Sequence, residues 1–526
     1  SMQRFIISIV LMTVVYSQSN YLVPFDWSGQ NGFKIYEGSL FWNRSWTSGV
    51  LLFDGTYTSY PKRYGEHTSN KFKSLSIGSL PRFNTLPDSA NVETHFDYSR
   101  GDYNFDQLNL GANYESNNQF ININGFKRSH AGNTGHYFHP SGRKVPIHHS
   151  YRIDYGSNQG GRQIQTSIAR FITTSGLPDS TQNGFENGNI ISAGLKISQS
   201  IGNWKINSHF GNFMQHRLVH HSSFIDSNYR DINRTLMNLQ LETKSGKLFG
   251  VQNQSQSVSS NIHNRSLKWT KIYGQQIFNN LSILGGVQLL NSDDTFPFVW
   301  ELNHSNKFNN IYYEFLSTGS PSPKHPDLDD PNDNSSFNYW SRNSIKLGIS
   351  LFALDFSVFL NSTQTGMKAF EGQNIFMTGG NIIYSHQSGW SVFSNIVTQV
   401  DSSIFGGGGT FIQTGINGKV KIFNDNMIID LKFWSNTRSG RKSSFGYDPL
   451  LQVPFTNSNA EWIIEDSQIL HFEANANISG VVISYKINNI LNAIESTNEK
   501  AWFRPNHIYP QLGRMLQFGV TWYFDN

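Results

Sequence analysis

Ser467-Gln468-Ile469-Leu470-His471-Phe472-Glu473-Ala474-Asn475-Ala476-Asn477-Ile478-Ser479-Gly480-Val481-Val482-Ile483-Ser484-Tyr485-Lys486-Ile487 decides the fold. Leu470, Phe472, Ala474, Ala476 and Ile478 recur at every second position, with His471, Glu473, Asn475 and Asn477 between them. After Ser479-Gly480 the period resumes, and Val481, Ile483, Tyr485 and Ile487 alternate with Val482, Ser484, Lys486 and Asn488. Successive side chains of a strand point to opposite faces, so each run reads as a strand that is apolar on one face, and the Ser-Gly pair reads as a tight turn. The same period runs through Ile191, Ala193, Leu195 and Ile197 against Ser192, Gly194, Lys196 and Ser198, and through Ile345, Leu347, Ile349 and Leu351 against Lys346, Gly348 and Ser350. A soluble sandwich alternates too, but it rarely sustains so many long strands with so little else. In a bilayer only helices and closed barrels satisfy every backbone polar group, and a barrel wall sets lipid-facing apolar side chains against lumen-facing polar ones. The pattern predicts an all-β chain closed into a transmembrane antiparallel barrel.

Bacterial barrels place short turns on the periplasmic side and longer loops outside. Counting back from a last strand at 513–524, short turns fall near 479–480, 423–425, 387–388, 352–353, 305–307, 278–279, 244–245, 200–202, 157–160 and 115–116. The alternate gaps near 488–512, 437–466, 401–409, 362–375, 318–342, 213–230, 174–188 and 128–146 are mostly long, while those near 291–293, 259–263 and 100–103 are short. This parity predicts about 22 strands from Asn91 onward, within bounds of roughly 18 to 24.

Composition agrees. The chain has 526 residues, of which 14% are aromatic, 15% are charged and 45 are Gly. A mean hydropathy of −0.42 is too polar for a bundle of membrane helices. The absence of Cys excludes disulfides, thiolate metal sites, a Cys nucleophile and the acylated Cys of a lipoprotein. A formal charge of +4 with scattered Lys and Arg excludes a nucleic-acid-binding stripe. Arg4, the apolar run from Phe5 to Val15 and Val15-Tyr16-Ser17 before Gln18 read as an export signal over residues 1–17. No other apolar stretch reaches the roughly 18 residues of a spanning helix. Residues 18–90 form an N-terminal segment and 91–526 the barrel. Gly32 to Trp42 and Ser48 to Tyr57 look strand-like, as a shortened lumen insert or as an extra wall hairpin.

The last strand puts Phe518, Val520, Trp522 and Phe524 on one face and Gln517, Gly519, Thr521 and Tyr523 on the other. Its terminal aromatic resembles the signal read by the bacterial barrel-assembly machinery, although Asp525 and Asn526 follow it. Upstream, Tyr485-Lys486-Ile487-Asn488-Asn489-Ile490-Leu491-Asn492 and Tyr509-Pro510-Gln511-Leu512-Gly513-Arg514 resemble the close of TonB-dependent receptor barrels. That family's barrels have 22 strands, which the loop count matches. Its members also carry a plug of well over a hundred residues and a segment that engages TonB, whereas Gln18 to Ser89 offers only about seventy residues and no recognisable TonB-contacting segment. The resemblance therefore implies a receptor-type wall with a reduced or absent plug.

The inward face of the predicted strands carries Lys196, Lys346, Asp430, Lys432, His471, Glu473 and Lys486 among mainly Asn and Ser. Mixed charge lining an aqueous lumen biases which solutes pass. Histidines gather in two expected outer loops: His130, His136, His139, His148 and His149 in one, and His216, His220 and His221 in the other. His216 with His220 or His221 has workable spacing for Zn or Cu, and imidazoles on such loops can also contact haem, although solvated polar loops carry histidines as well. Asp327, Asp329, Asp330 and Asp333, with Asn332 and Asn334, supply hard oxygens for Ca²⁺ in another outer loop, though Pro331 and the lack of a turn Gly depart from a calcium loop. Gly406 to Gly409 lacks the strand-to-helix context and the Lys-Ser/Thr of a phosphate cradle. No Ser-His-Asp motif is readable, so no enzyme and no resident cofactor are expected beyond Ca²⁺ in an outer loop.

These readings point to a channel in the outer membrane of a Gram-negative bacterium, passing small solutes by diffusion or by partner-gated transport. The alternatives are a TonB-dependent-type receptor that binds a scarce nutrient on its outer loops, and a surface-binding or adhesive barrel. The expected partners are outer-membrane lipid and lipopolysaccharide, the barrel-assembly machinery, a small solute or nutrient and a partner protein, with no nucleic acid.

Overall fold

A computed structural model describes residues 21–24, 32–36, 39–41 and 90–525. Left out of the last range are 117, 143–145, 262–263, 291–296, 324–336, 366–373, 400–408, 425, 443–446, 449, 451–452, 455–462 and 505–509. Twenty-two antiparallel strands, numbered β1 (Asn91–Gly101) to β22 (Met515–Asp525), close into one barrel in which each pairs with its neighbours in the chain. β22 returns to β1 in the register Gln517↔Gly101 to Asp525↔Glu93, which leaves the sheet no free edge. The strand count and the start at Asn91 are those expected from loop parity. Tyr21–Pro24, Gly32–Tyr36 and Ser39–Phe41 make a separate three-stranded antiparallel sheet, so the strand expected from Gly32 onward forms. The export signal and the strand expected over Ser48 to Tyr57 lie outside the described residues.

Alternation follows the membrane. Ile345, Leu347, Phe433, Tyr485, Phe518 and Trp522 are exposed on the outer face, whereas Ser344, Trp434, Asn488 and Thr521 between them are buried on the inner one. The ten short turns at one end of the barrel run from two residues to five. Ser479 and Gly480 both take positive φ, 50° and 89°, the left-handed pair whose twist suits a two-residue hairpin. The turn expected near 305–307 sits at 309–310, because the alternation of β12 (Phe298–Phe308) continues through Asn306 and Lys307.

Strand length varies around the wall. β6 (Phe185–Ile201) and β7 (Trp204–His220) have 17 residues each and β8 (Asn228–Thr243) has 16. A tilted strand needs only about ten to cross the hydrocarbon, so these project beyond it at the end opposite the short turns. That corrects the expected 213–230 loop: the connection is 221–227, and His216 and His220 belong to β7.

Glycines on the wall sit opposite rings. Gly348 faces Tyr312, Gly319 faces Trp300, Gly250 faces Tyr273 and Gly156 faces Phe120, each pair in direct register. A Cβ at any of these glycines would run into the partner ring, so the ring occupies the place a side chain would take.

Candidate functional site

Two regions bring chemistry-bearing side chains together. The first is an inner-wall patch on β19 (Met427–Ser439), β20 (Ser467–Ile478) and β21 (Val481–Asn488). Register places Lys432 opposite Glu473 and Glu473 opposite Lys486. One step outward, Trp434 lies opposite His471 and His471 opposite Asn488. The Trp434 and His471 rings stack at 4.9 Å and 16°. Lys432 Nζ stands 4.8 Å from the Trp434 ring and 5.5 Å from that of Phe393, and Lys486 Nζ is 6.0 Å from Trp434. Cations over ring faces are attracted by the ring quadrupole, so the indole holds two ammonium groups that would otherwise repel. His471 is buried, its Nε2 3.2 Å from Asn436 Nδ2 and its Nδ1 3.2 Å from Asn488 Oδ1. An amide donating to Nε2 leaves the ring proton on Nδ1, where Asn488 accepts it. Asp430 pairs with Lys419 at 3.3 Å. Five of the seven lumen residues expected from sequence therefore form one patch. The other two lie elsewhere: Lys196 opposite His209, and Lys346 opposite Glu314 with its Nζ 6.0 Å from the Tyr312 ring.

The second region is a roof made by outer connections over the wall from β2 (Phe105–Ser116) to β8, joined by Leu450 from the connection between β19 and β20. Tyr137, Leu177, Val219 and Leu450 form a buried cluster, with Phe224 against it, from four connections and strand ends. Arg217 donates to Glu186 Oε2 through Nε at 3.1 Å and Nη2 at 2.8 Å, and through Nη1 to the Leu450 carbonyl. Both charged side chains are only 6% exposed, so this pair is a buried anchor rather than a surface contact. Beneath the roof, Phe126, Ala169, Phe171, Ile190, Ile232 and Val258 form an apolar inner lining.

From the two expected histidine loops His130, His136 and His221 lie in this roof, whereas His148 and His149 belong to the strand Ile147–Gln159 and His216 stands on the outward face of β7. His130 is buried among the rings of Tyr103, Phe105 and Tyr137 at 6.3, 6.3 and 5.8 Å. His136 lies 4.1 Å from the Tyr137 ring and 2.9 Å from Thr134 Oγ1. Burial pushes both imidazoles down to about 3, helped at His130 by the nearby His136 and Arg128. Asp179 is pulled down to about 2: burial acts against its charge, but hydrogen bonds from Ser222 and Thr181 outweigh that. His221 Nε2 lies 2.9 Å from the Pro178 carbonyl, and the His220 and Phe185 rings stack at 5.4 Å. His216 Nδ1 meets Asp231 Oδ1 at 2.5 Å, and His220 Nδ1 meets Ser227 Oγ at 2.9 Å. Among the described residues no three His, Cys, Asp or Glu converge as a metal set, so His216 and His220 stand in pairs with Asp231 and Ser227 instead. Asp327, Asp329, Asp330 and Asp333 lie outside the described residues.

The residues that carried the family resemblance have local work. Asn489, at φ 60°, caps the short helix α1 (Ile490–Ile494) through its side chain to Asn492 N. Asn492 Oδ1 accepts from Arg514 N at 2.9 Å, and a Cβ on Gly513 would come within 2.7 Å of the same oxygen. Arg438 lies between the rings of Phe411 and Phe503, 4.8 and 4.7 Å away, while Ile469, Phe503 and Leu512 pack together. Sequence alone could not supply the roof, because its contacts join residues as distant as Arg217 and Leu450.

No family model matches the sequence, and no curated protein sequence matches it. Solved structures do match. The FrpB iron transporter from Neisseria meningitidis aligns over 84% of this chain and 83% of its own, at 10% identity and a TM-score of 0.60. The ferric yersiniabactin uptake receptor FyuA from Yersinia pestis aligns over 83% and 80%, at 10% identity and 0.60. The copper transporter OprC aligns over 94% and 92%, at 9% identity and 0.63. At these identities the likeness concerns the fold, and at that level it supports the resemblance to TonB-dependent receptor barrels.

Proposed function

We propose that the chain is an outer-membrane receptor for a scarce nutrient, built on the wall it shares in fold with those iron and copper transporters. The observation that carries the reading is the roof: Tyr137, Leu177, Leu450 and Phe224 pack separate outer connections together with Val219, and the Arg217–Glu186 pair at the tops of β7 and β6 holds the Leu450 carbonyl. A diffusion channel, the first expectation from the wall alone, gains nothing from ordering its loops this way. A receptor does, because a site assembled before the ligand arrives loses less entropy on binding. Below the roof, Lys432 and Lys486 beside Glu473 offer a polar step on the inner wall, which suits an anionic or chelated solute.

The test pairs conductance with binding. Purified protein in planar bilayers should show no steady conductance. It should also bind one of ferric siderophore, haem, copper or an oligosaccharide saturably, below about 1 μM. Steady ohmic conductance without any tight ligand would restore the diffusion channel.

A further inference from the structure

On the wall from β6 to β11 (Leu281–Leu290) the register sorts the outward side chains into rows. One row carries Leu195, Phe210 and Met237 on β6, β7 and β8, then Asn253 on β9 (Lys247–Ser260), Thr270 on β10 (Asn264–Phe278) and Leu289 on β11. Two polar residues thus interrupt a level that is apolar on both sides of them. Away from the short turns, the next row reads Asn212, Thr235, Ser255 and Lys268 along β7 to β10. Beyond it come Met214, Asn233, Ser257 and Ser266, then His216, Asp231, Ser259 and Asn264, and a hollow of about 580 Å³ opens over these last two rows. A polar group turned toward hydrocarbon costs free energy, and an acyl chain offers it no partner.

The shape and the charges of this face suit a copy of itself. Ser255, Ser257 and Ser259 give β9 a floor of short side chains between the larger Met214 and His216 on one side and the exposed Lys268 on the other. Two convex walls touch only along a narrow strip, and short polar side chains there let them approach closely and bond across. The charges are split by the same strip. Lys268 stands on β10, whereas Asp231 stands on β8 with His216 Nδ1 at 2.5 Å, both side chains half exposed or more. Farther round, Arg170 on β5 (Arg162–Gly176) donates through Nε to Asn189 Oδ1 at 3.0 Å. A two-fold axis along the membrane normal and through β9 sets β10 of one copy against β8 of the other. Each Lys268 then faces the partner's Asp231, and the Asn253 and Thr270 level meets amides and hydroxyls instead of lipid.

We propose that two copies of the chain meet at this face, β9 against β9. The inference rests on the outward wall alone and is independent of the nutrient proposed above. Because the chain contains no cysteine, single thiols report the contact without background. Under mild oxidation in intact membranes Ser257→Cys, close to the axis, should form a disulfide-linked dimer at least about tenfold faster than Ser362→Cys, which points outward on β15 (Leu354–Thr365). In mild detergent the full chain should sediment as a dimer. Lys268→Asp and Asp231→Lys should each weaken that dimer by about tenfold, and the double exchange should restore it, a compensation that mere loss of fold does not give. Should a charge variant fail to fold, the two cysteine variants decide alone. Equal disulfide rates at 257 and 362, a single copy in membranes and detergent alike, folded charge variants without effect, or one copy bound to lipopolysaccharide or another protein in place of its twin would each overturn the assignment.

Discussion

Thr521 donates its hydroxyl to Asp97 Oδ1 at 3.0 Å, although 424 residues separate them in the chain. The two stand directly opposite where β22 meets β1, both buried on the inner face. Asp102 extends the seam: its Oδ2 accepts from Leu516 N at 2.9 Å, its own N–H donates to the Leu516 carbonyl at 3.0 Å, and Arg514 Nη2 lies 3.7 Å away. Replacing Thr521 by Val keeps the shape and removes one donor to a buried carboxylate. We expect about 1–3 kcal/mol of lost stability, read as a lower urea midpoint in detergent micelles. An unchanged midpoint would mean that the seam is held by its ladder alone.

Gly348 and Tyr312 make the second case. The Tyr312 ring covers the place where a Cβ of residue 348 would project. Gly348→Ala should displace that ring and cost about 1–3 kcal/mol, the usual penalty of overpacking. Tyr312→Ala in the same background should recover part of the loss, since it vacates the space. Equal and additive losses in the double variant would show that the two residues do not compete for one volume.

What sequence shows and hides follows from these two contacts. Lipid imposes a two-residue period, so Leu470 to Ile478 and Val481 to Ile487 declare themselves as strands and their turns can be counted to 22. Above the membrane that pressure is gone. The upper part of β7 mixes Gln215, His216 and Arg217, which reads as loop although the ladder runs on to His220. Cross-strand partners need the register first, so neither Gly348 with Tyr312 nor His471 with Trp434 has a local signature. The roof is less legible still, because Arg217 reaches the Leu450 carbonyl from another part of the chain.

Arg217 and Glu186 supply the third expectation. Arg217→Met leaves the Glu186 carboxylate buried without its guanidinium partner, which typically costs about 3–5 kcal/mol. The wall should survive, because its ladder hydrogen bonds do not pass through this pair. The predicted signature is therefore split: barrel strands stay protease-resistant while the connections 177–184 and 221–227 become cleavable, and nutrient binding weakens. Uniform loss of the whole barrel would instead place Arg217 among the residues on which closure depends.

Acid should loosen the roof before the wall, through His130. In the unfolded chain an imidazole takes its proton near the ordinary value of 6.5, but in the fold burial among Tyr103, Phe105 and Tyr137 lowers this to about 3, with His136 and Arg128 adding repulsion. Between those two values the opened segment holds a proton that the closed one does not. Stability is thus complete above pH 6.5 and falls as pH drops toward 3. At pH 5 the loss from His130 amounts to about 2 kcal/mol, roughly a thirtyfold change in local opening. His136, lowered by burial to about 3 as well, adds a loss of the same sign. Amide exchange reports this directly at Ala131, bonded to the Tyr103 carbonyl at 2.8 Å, and at Tyr137, bonded to the Ala131 carbonyl at 3.0 Å. After correction for intrinsic rates, both should exchange faster at pH 5 than at pH 7, and His130→Phe should remove about half of the difference in opening free energy, leaving the share of His136. Protection that stays constant across this range would mean that the roof opens without exposing His130.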